Sequence, residues 1–205
     1  MSRSRRYSPT STPTSPPTTP SHAWTPPRAS PRPDVWILGS SGSSAQMAGQ
    51  LGLGYAFAGF INPDGASRAL LRHAAFAGPA TGGSTAGRGI LSVSAVVADT
   101  DAEVQRLNST RTALMARLAR SGPTALVPTV EEAERELGQA QKDVPTVITD
   151  GRWPRQLAGS PQTVRDQLEQ MTKAAGVDEV MVQDIIADPA DRAHSRALLA
   201  GALGL

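Results

Sequence analysis

From residue 34 onward, short solid apolar runs take turns with longer stretches in which apolar residues recur every three or four positions. VWIL (35–38), YAFAGF (55–60), ILSVSAVVA (90–98) and DEVMVQ (178–183) predict four strands, VWIL as one buried on both faces and DEVMVQ as a further buried strand. The intervening stretches predict helices. Residues 44–51 place Met47, Ala48 and Leu51 on one side and end at Gly52, and residues 64–76 turn Leu70, Leu71, Ala74 and Ala75 inward before Gly78. Thr100-x-x-Glu103 reads as a capping box opening a helix to about Ala119, with Val104, Leu107, Leu114 and Leu118 available to the core.

The stretch 130–142 reads as a surface helix. A better-punctuated one follows, with Ser160 as N-cap, Pro161 at the first helical position and Gly176 as the stop. A final helix runs from about Pro189 to Leu203. Between these elements lie a Gly/Thr-rich loop at 78–89, a Pro-broken connector at 121–129 and an irregular segment at 143–158. The order β-α-β-α-β-α-(α)-α-β-α predicts an α/β fold with a parallel sheet and right-handed crossovers.

Composition splits the chain in two. Residues 1–33 hold nine of the 17 prolines, five of the 20 basic residues and none of the 18 acidic ones. Such a Ser/Thr/Pro/Arg-rich segment has too little apolar surface to offset its ordering entropy and reads as a disordered tail. Residues 34–205 form the domain, with 15 basic against 18 acidic residues, so the basic excess sits in the tail. That balance speaks against a nucleic-acid partner. The absence of cysteine excludes disulfide and thiol chemistry. No apolar run approaches the ~20 residues of a membrane span, and the expectation is a cytoplasmic protein without a membrane partner.

The chemistry-bearing stretch is GSSGSS (39–44), between the first strand and the first helix. A loop feeding a helix N-terminus presents unpaired N–H groups, and the helix dipole favours an anion there. Gly39 and Gly42 permit close backbone approach, while Ser40, Ser41, Ser43 and Ser44 add hydroxyl donors. The same serines would serve as a plain helix cap, and local pattern leaves both readings open. A dinucleotide fingerprint is absent, since the spacing is G-x-x-G and no acidic residue ends the second strand. His22, His73 and His194 lie far apart, without carboxylates at ligand spacing, so no metal site is expected. His73 and His194 read as helix-surface or boundary residues, Trp36 and Trp153 as packing residues, and no catalytic residue can be named.

Four segments together resemble the luciferase-like flavin-dependent monooxygenases, the family of bacterial luciferase and alkanal monooxygenase-like proteins. They are VWILGSSGSSAQMAGQLGLGYAFAGF, ADTDAEVQRL, GSPQTVRDQL and GVDEVMV, in the family's order across about 35–203. The resemblance implies a (β/α)8 barrel of which this chain carries the second half. It also implies reduced FMN, or in some branches a deazaflavin, reacting with O2 and a small organic substrate at the C-terminal face of the strands. In that family the Ser-rich loop holds the flavin phosphate, which carries over to Ser41, Gly42, Ser43 and Ser44; Ser40 stands where the luciferases have an acidic residue.

The match covers the family's second half only, and the tail stands where four further strands would be. Four strands cannot close a barrel, so VWIL and VMVQ are expected to be open hydrophobic edges. Association of two halves, or low solubility and partial folding, would follow. The expected function is therefore a flavin-dependent monooxygenase in truncated form, acting with a flavin reductase or as a homo-oligomer. The alternatives are a non-catalytic flavin-binding or regulatory half-barrel, or an inactive remnant.

Overall fold

The computed structural model describes residues 33–78, 85–122 and 125–205. The expected tail, apart from Pro33, lies outside the described residues, as do 79–84 of the Gly/Thr-rich loop and 123–124 of the connector. The described residues form one compact unit.

Five strands and seven helices are described: β1 (Trp36–Gly39), α1 (Gly42–Gln50), β2 (Gly54–Ala58), α2 (Ala66–Phe76), β3 (Gly89–Val97), α3 (Asp101–Ser121), α4 (Val130–Glu136), α5 (Gln139–Lys142), β4 (Leu157–Gly159), α6 (Pro161–Ala175), β5 (Glu179–Gln183) and α7 (Pro189–Leu203). A single 3-10 turn, Pro63–Gly65, precedes α2. All the strand pairings are parallel. β1 pairs with β2, β2 with β3, and β3 with β5 through Ile90↔Glu179 to Ser94↔Gln183. The four longer strands therefore stand side by side in chain order, as expected for consecutive (β/α) units of a barrel.

The three-residue β4 was not foreseen. It pairs with the end of β3, Ala95↔Leu157 to Val97↔Gly159. Backbone groups along a strand face alternate neighbours. The Ser92 carbonyl accepts from Gly59 N–H and the Ala98 N–H donates to Gly159, so even positions of β3 meet β2 and β4 on one side. β4 thus takes up the edge that β2 gives up at Gly59.

The two faces of the sheet differ. Odd positions Leu91, Val93, Ala95 and Val97 join a core with Tyr55, Phe57, Ala45 and Ala48 of α1, Ala69 and Leu70 of α2, Val164, Leu168 and Met171 of α6, and Leu199 of α7. Even positions Val96 and Ala98 belong to a separate, smaller cluster with Val104 and Leu107 of α3, Ala158 and Ile186. Helices α1, α2, α6 and α7 therefore cover one face, and α3 lies against the other, with α4 packed on it through Ala113, Ala133 and Leu137.

Helix punctuation follows the sequence closely at α6 and α7. The Ser160 side chain accepts from Thr163 N–H, Pro161 opens the helix, and Gly176 ends it with φ at 65°. At α3 the Thr100 hydroxyl caps Glu103 N–H, but the Glu103 carboxylate turns to Arg106, so half of the expected box forms. The surface helix expected at 130–142 breaks into α4 and α5, and the complete capping box belongs to Thr129 and Glu132 of α4.

Four expectations are corrected. β1 and β5 are not buried on both faces: Leu38 is 65% exposed and Met181 52%, the hydrophobic edges that an open sheet must carry. On α2 the inward residues are Ala66, Ala69, Leu70 and His73, while Leu71, Ala74 and Ala75 face out. On α1 Ala48 faces in, but Met47 and Leu51 are exposed. His73 is 1% exposed rather than superficial, its Nε2 2.9 Å from the Leu53 carbonyl and its ring against Tyr55. An imidazole buried against Tyr55 and hydrogen-bonded to a backbone carbonyl serves as a core residue, which apolar spacing cannot register.

Candidate functional site: the serine loop at the start of the first helix

Ser40 and Ser41 connect β1 directly to α1. Ser41 is the N-cap, in extended conformation, and its Oγ accepts from Ser44 N–H at 3.3 Å. The first-turn amides of Gly42 and Ser43 have no partner within the helix by geometry. Ser41 and Ser43 are exposed, with hydroxyls 3.0 Å apart, so both can turn toward a ligand above the helix end.

Ser44 points the other way. Its Oγ donates to the Ser41 carbonyl at 2.9 Å and lies 2.9 Å from the Tyr55 hydroxyl, which itself donates to the Ser41 carbonyl at 3.0 Å. Each hydroxyl has one proton, and this closed triangle uses both, so neither has a donor left for a ligand. Burial pushes the Tyr55 phenol above its ordinary pKa, against smaller opposing contributions from Ser44 and Ser41, which keeps it a neutral donor. From the far end of β2, Asn62 Nδ2 donates to the Ser40 carbonyl at 2.9 Å. The loop is thus held at Ser40 by Asn62 and at Ser41 and Ser44 by Tyr55.

The two glycines have separate reasons. A Cβ on Gly39 would stand 2.3 Å from Ser44 Oγ, so glycine is needed for Ser44 to turn inward. A Cβ on Gly42 would meet only Arg72 Cδ, at 3.7 Å, leaving the approach to its N–H open. Arg72 stacks over Phe76 and donates to Gln46, which puts a cation beside the first turn of α1.

Five residues expected at the site, Ser40, Ser41, Gly42, Ser43 and Ser44, are thus brought together, with Ser41 and Ser43 outward and Ser40 and Ser44 engaged as supports. Sequence reading missed Tyr55 and Asn62. The signal was the pair of polar groups flanking an otherwise apolar β2. It also read 143–158 as irregular, although Thr149 and Arg152 exchange backbone hydrogen bonds around Asp150 and Gly151, at φ 51° and 74°. Asp-Gly with both residues at positive φ is the favoured two-residue hairpin turn. This segment faces Asn62–Asp64 across a cleft of about 480 Å3 lined by Val147, Trp153 and Arg155. His194 pairs with Asp99 at 3.0 Å in an exposed position. Among the described residues no cluster of three His, Cys, Asp or Glu side chains could hold a metal ion, and no helix is long and apolar enough to cross a membrane.

The chain is similar to known proteins. The uncharacterized protein YvbT of Bacillus subtilis (strain 168) is 30% identical over 166 residues, 81% of this chain and 48% of that protein. A luciferase-like monooxygenase of Escherichia coli (strain K12) is 27% identical over 162 residues, 78% of this chain and 47% of its own length. Among solved structures, apo-MsnO8 is 38% identical with a TM-score of 0.75, covering 88% of this chain and 54% of that one. The oxygenating constituent of 3,6-diketocamphane monooxygenase, from the CAM plasmid of Pseudomonas putida and in complex with FMN, shares the fold at 21% identity and a TM-score of 0.50, over 82% of this chain and 47% of that one. The chain spans about half the length of the curated relatives it matches. The family model for luciferase-like monooxygenases matches residues 5–179, beginning inside the Ser/Thr/Pro/Arg-rich segment. This parallel sheet of (β/α) units, with its serine loop, therefore belongs to the luciferase-like monooxygenase family.

Proposed function

We propose that the chain is the FMN-phosphate-holding part of a flavin-dependent monooxygenase that oxidises a small organic substrate. The observation that carries this reading is the division of labour in the serine loop: two outward hydroxyls and two first-turn amides, on a backbone fixed by Tyr55 and Asn62. A phosphate dianion suits that cradle in charge, through the helix dipole, and in donor count. The open space above Gly42 suits it in shape.

Ser41 and Ser43 would donate hydroxyl protons to phosphate oxygens, with the N–H groups of Gly42 and Ser43 beside them. Ser44 and Tyr55 would hold the Ser41 carbonyl away from the anion, and Asn62 would do the same for Ser40. When bound, reduced FMN supplies the electrons with which O2 delivers one oxygen atom to the substrate; a flavin reductase would restore the cofactor.

Titration of the purified chain with FMN and with riboflavin, which lacks the phosphate, tests the reading. FMN is expected to bind at least about tenfold more tightly, the worth of one to two charge-assisted hydrogen bonds. The double variant Ser41→Ala/Ser43→Ala should lose most of that difference, and Tyr55→Phe part of it. Equal affinities for the two flavins in the unaltered chain would sink the proposal.

The exposed edges at Leu38 and Met181 favour a second reading, a flavin-binding half that turns over no substrate until those edges are covered. Retained flavin absorbance without turnover in the presence of a flavin reductase would distinguish it.

A further inference from the structure

On the sheet face covered by α3, several buried polar groups have no partner. Ser92 and Ser94 are buried at even positions of β3, and neither hydroxyl has a hydrogen bond. Gln156 is buried just before β4, and its Oε1 is unpartnered. Continuing the β3–β4 register back by one residue from Ala95↔Leu157 sets Gln156 beside Ser94. Gln156 also shares the parity of Ala158, which packs under α3.

Arg111 approaches the same place from above. It lies one turn beyond Leu107 on the buried stripe of α3 and is 8% exposed. One guanidinium nitrogen, Nη2, donates to the Arg155 carbonyl at 3.3 Å, which brings the group to the level of Ser94 and Gln156. Its Nε is buried without a partner. Among the described residues no carboxylate lies within ion-pair distance of Arg111, and its one charged neighbour, Arg155, is also a cation. Other arginines, such as Arg106, Arg117, Arg165 and Arg196, each reach an Asp or Glu at 3.0 Å or less.

A buried cation without a counter-charge is costly, because desolvation is repaid only by a well-placed anion. Burial lowers the Arg111 pKa, and Arg155 adds to the effect, yet a guanidinium stays charged. The Arg111 Nε–H and the Ser92 and Ser94 hydroxyls are free donors on one face of the sheet and suit an oxyanion in a dry environment, whereas the Gln156 amide oxygen can only accept.

We propose that Arg111, Ser92 and Ser94 form a carboxylate-binding site between β3 and α3, where the acid group of a small organic acid replaces the missing counter-charge. The site is on β3 and α3, the serine loop on β1 and α1, so each reading stands or falls separately.

Thermal unfolding of the full chain, at constant ionic strength with acetate exchanged for chloride, tests this. Acetate is expected to raise the Tm by about 2 °C or more at saturating concentration, as a ligand of the folded state must. Acetamide, neutral and of the same shape, should not. Arg111→Met should raise the Tm in acetate-free buffer by about 3 °C or more, since it removes an unpaired buried charge, and abolish the acetate response. Arg111→Lys, which keeps the charge, should retain part of that response.

The proposal is overturned if acetate and acetamide act alike, or if Arg111→Met keeps the full response. It is equally overturned if Arg111→Met lowers the Tm, which would make the bond to the Arg155 carbonyl the whole role of Arg111. An Arg111→Met chain that does not fold counts as that last result. Flavin binding is unaffected by any of these outcomes.

Discussion

Along β3 and the residue that follows it, the odd positions are Leu91, Val93, Ala95 and Val97, and the even ones Ser92, Ser94, Val96 and Ala98. All are buried, yet they meet opposite demands. The odd side packs against four helices in one continuous apolar core. The even side meets a single helix, with apolar contact at its upper end and unpartnered hydroxyls below. Burial alone therefore does not mark the stabilising face. What separates the two is whether the buried atoms find partners, and a face that leaves polar groups unsatisfied carries a cost that only a ligand or water can offset.

Substitutions can break that comparison. Leu91→Ala should cost the most, about 2–5 kcal/mol by chemical denaturation, because it leaves a cavity in a core that cannot collapse onto it. Acidification should act on the same layer more mildly. Asp188 caps α7 by accepting from Asp191 and Ala190 N–H, and these bonds hold its carboxyl below the ordinary value. A depressed carboxyl contributes stability above its unfolded pKa of ~3.9, and loses it as pH falls through the lower folded value. Tm measured from pH 5 downward should therefore fall less steeply in Asp188→Asn than in the unaltered chain.

The smallest effect belongs to the even face. Ser92→Ala removes a hydroxyl that bonds to nothing, so stability should stay within about 0.5 kcal/mol or rise. If Ser92→Ala costs as much as Leu91→Ala, the two faces are energetically alike and the distinction drawn here fails.

The sequence reveals most where one residue type performs one local task. Ser160, Pro161 and Gly176 bound α6 where they were expected, because capping and φ preference act within a few residues. The serine loop was legible for the same reason, as a strand followed by small donors and a helix. What was not legible depends on neighbours distant in the chain. Whether VWIL is buried depends on what stands beside it, and nothing described pairs with its outer edge. The inward turn of Ser44 depends on Tyr55, and the burial of His73 on the Leu53 carbonyl. Nothing in the apolar pattern marks Arg111, because its setting is made by Arg155, just before a strand too short to show in that pattern.

The pairing of Ile90 with Glu179 has a consequence for how the chain acquires its structure. As the ribosome delivers residues in order, β1, β2 and β3 can associate early, since each pair is joined through a single helix. One side of β3 must then wait for about eighty more residues before β5 emerges to cover it. Closing so long a loop slows the step, and a bare apolar strand edge is what neighbouring nascent chains or chaperones would find first. Slower elongation between residues 98 and 178 should thus lower the soluble yield, even though the finished molecule would be the same.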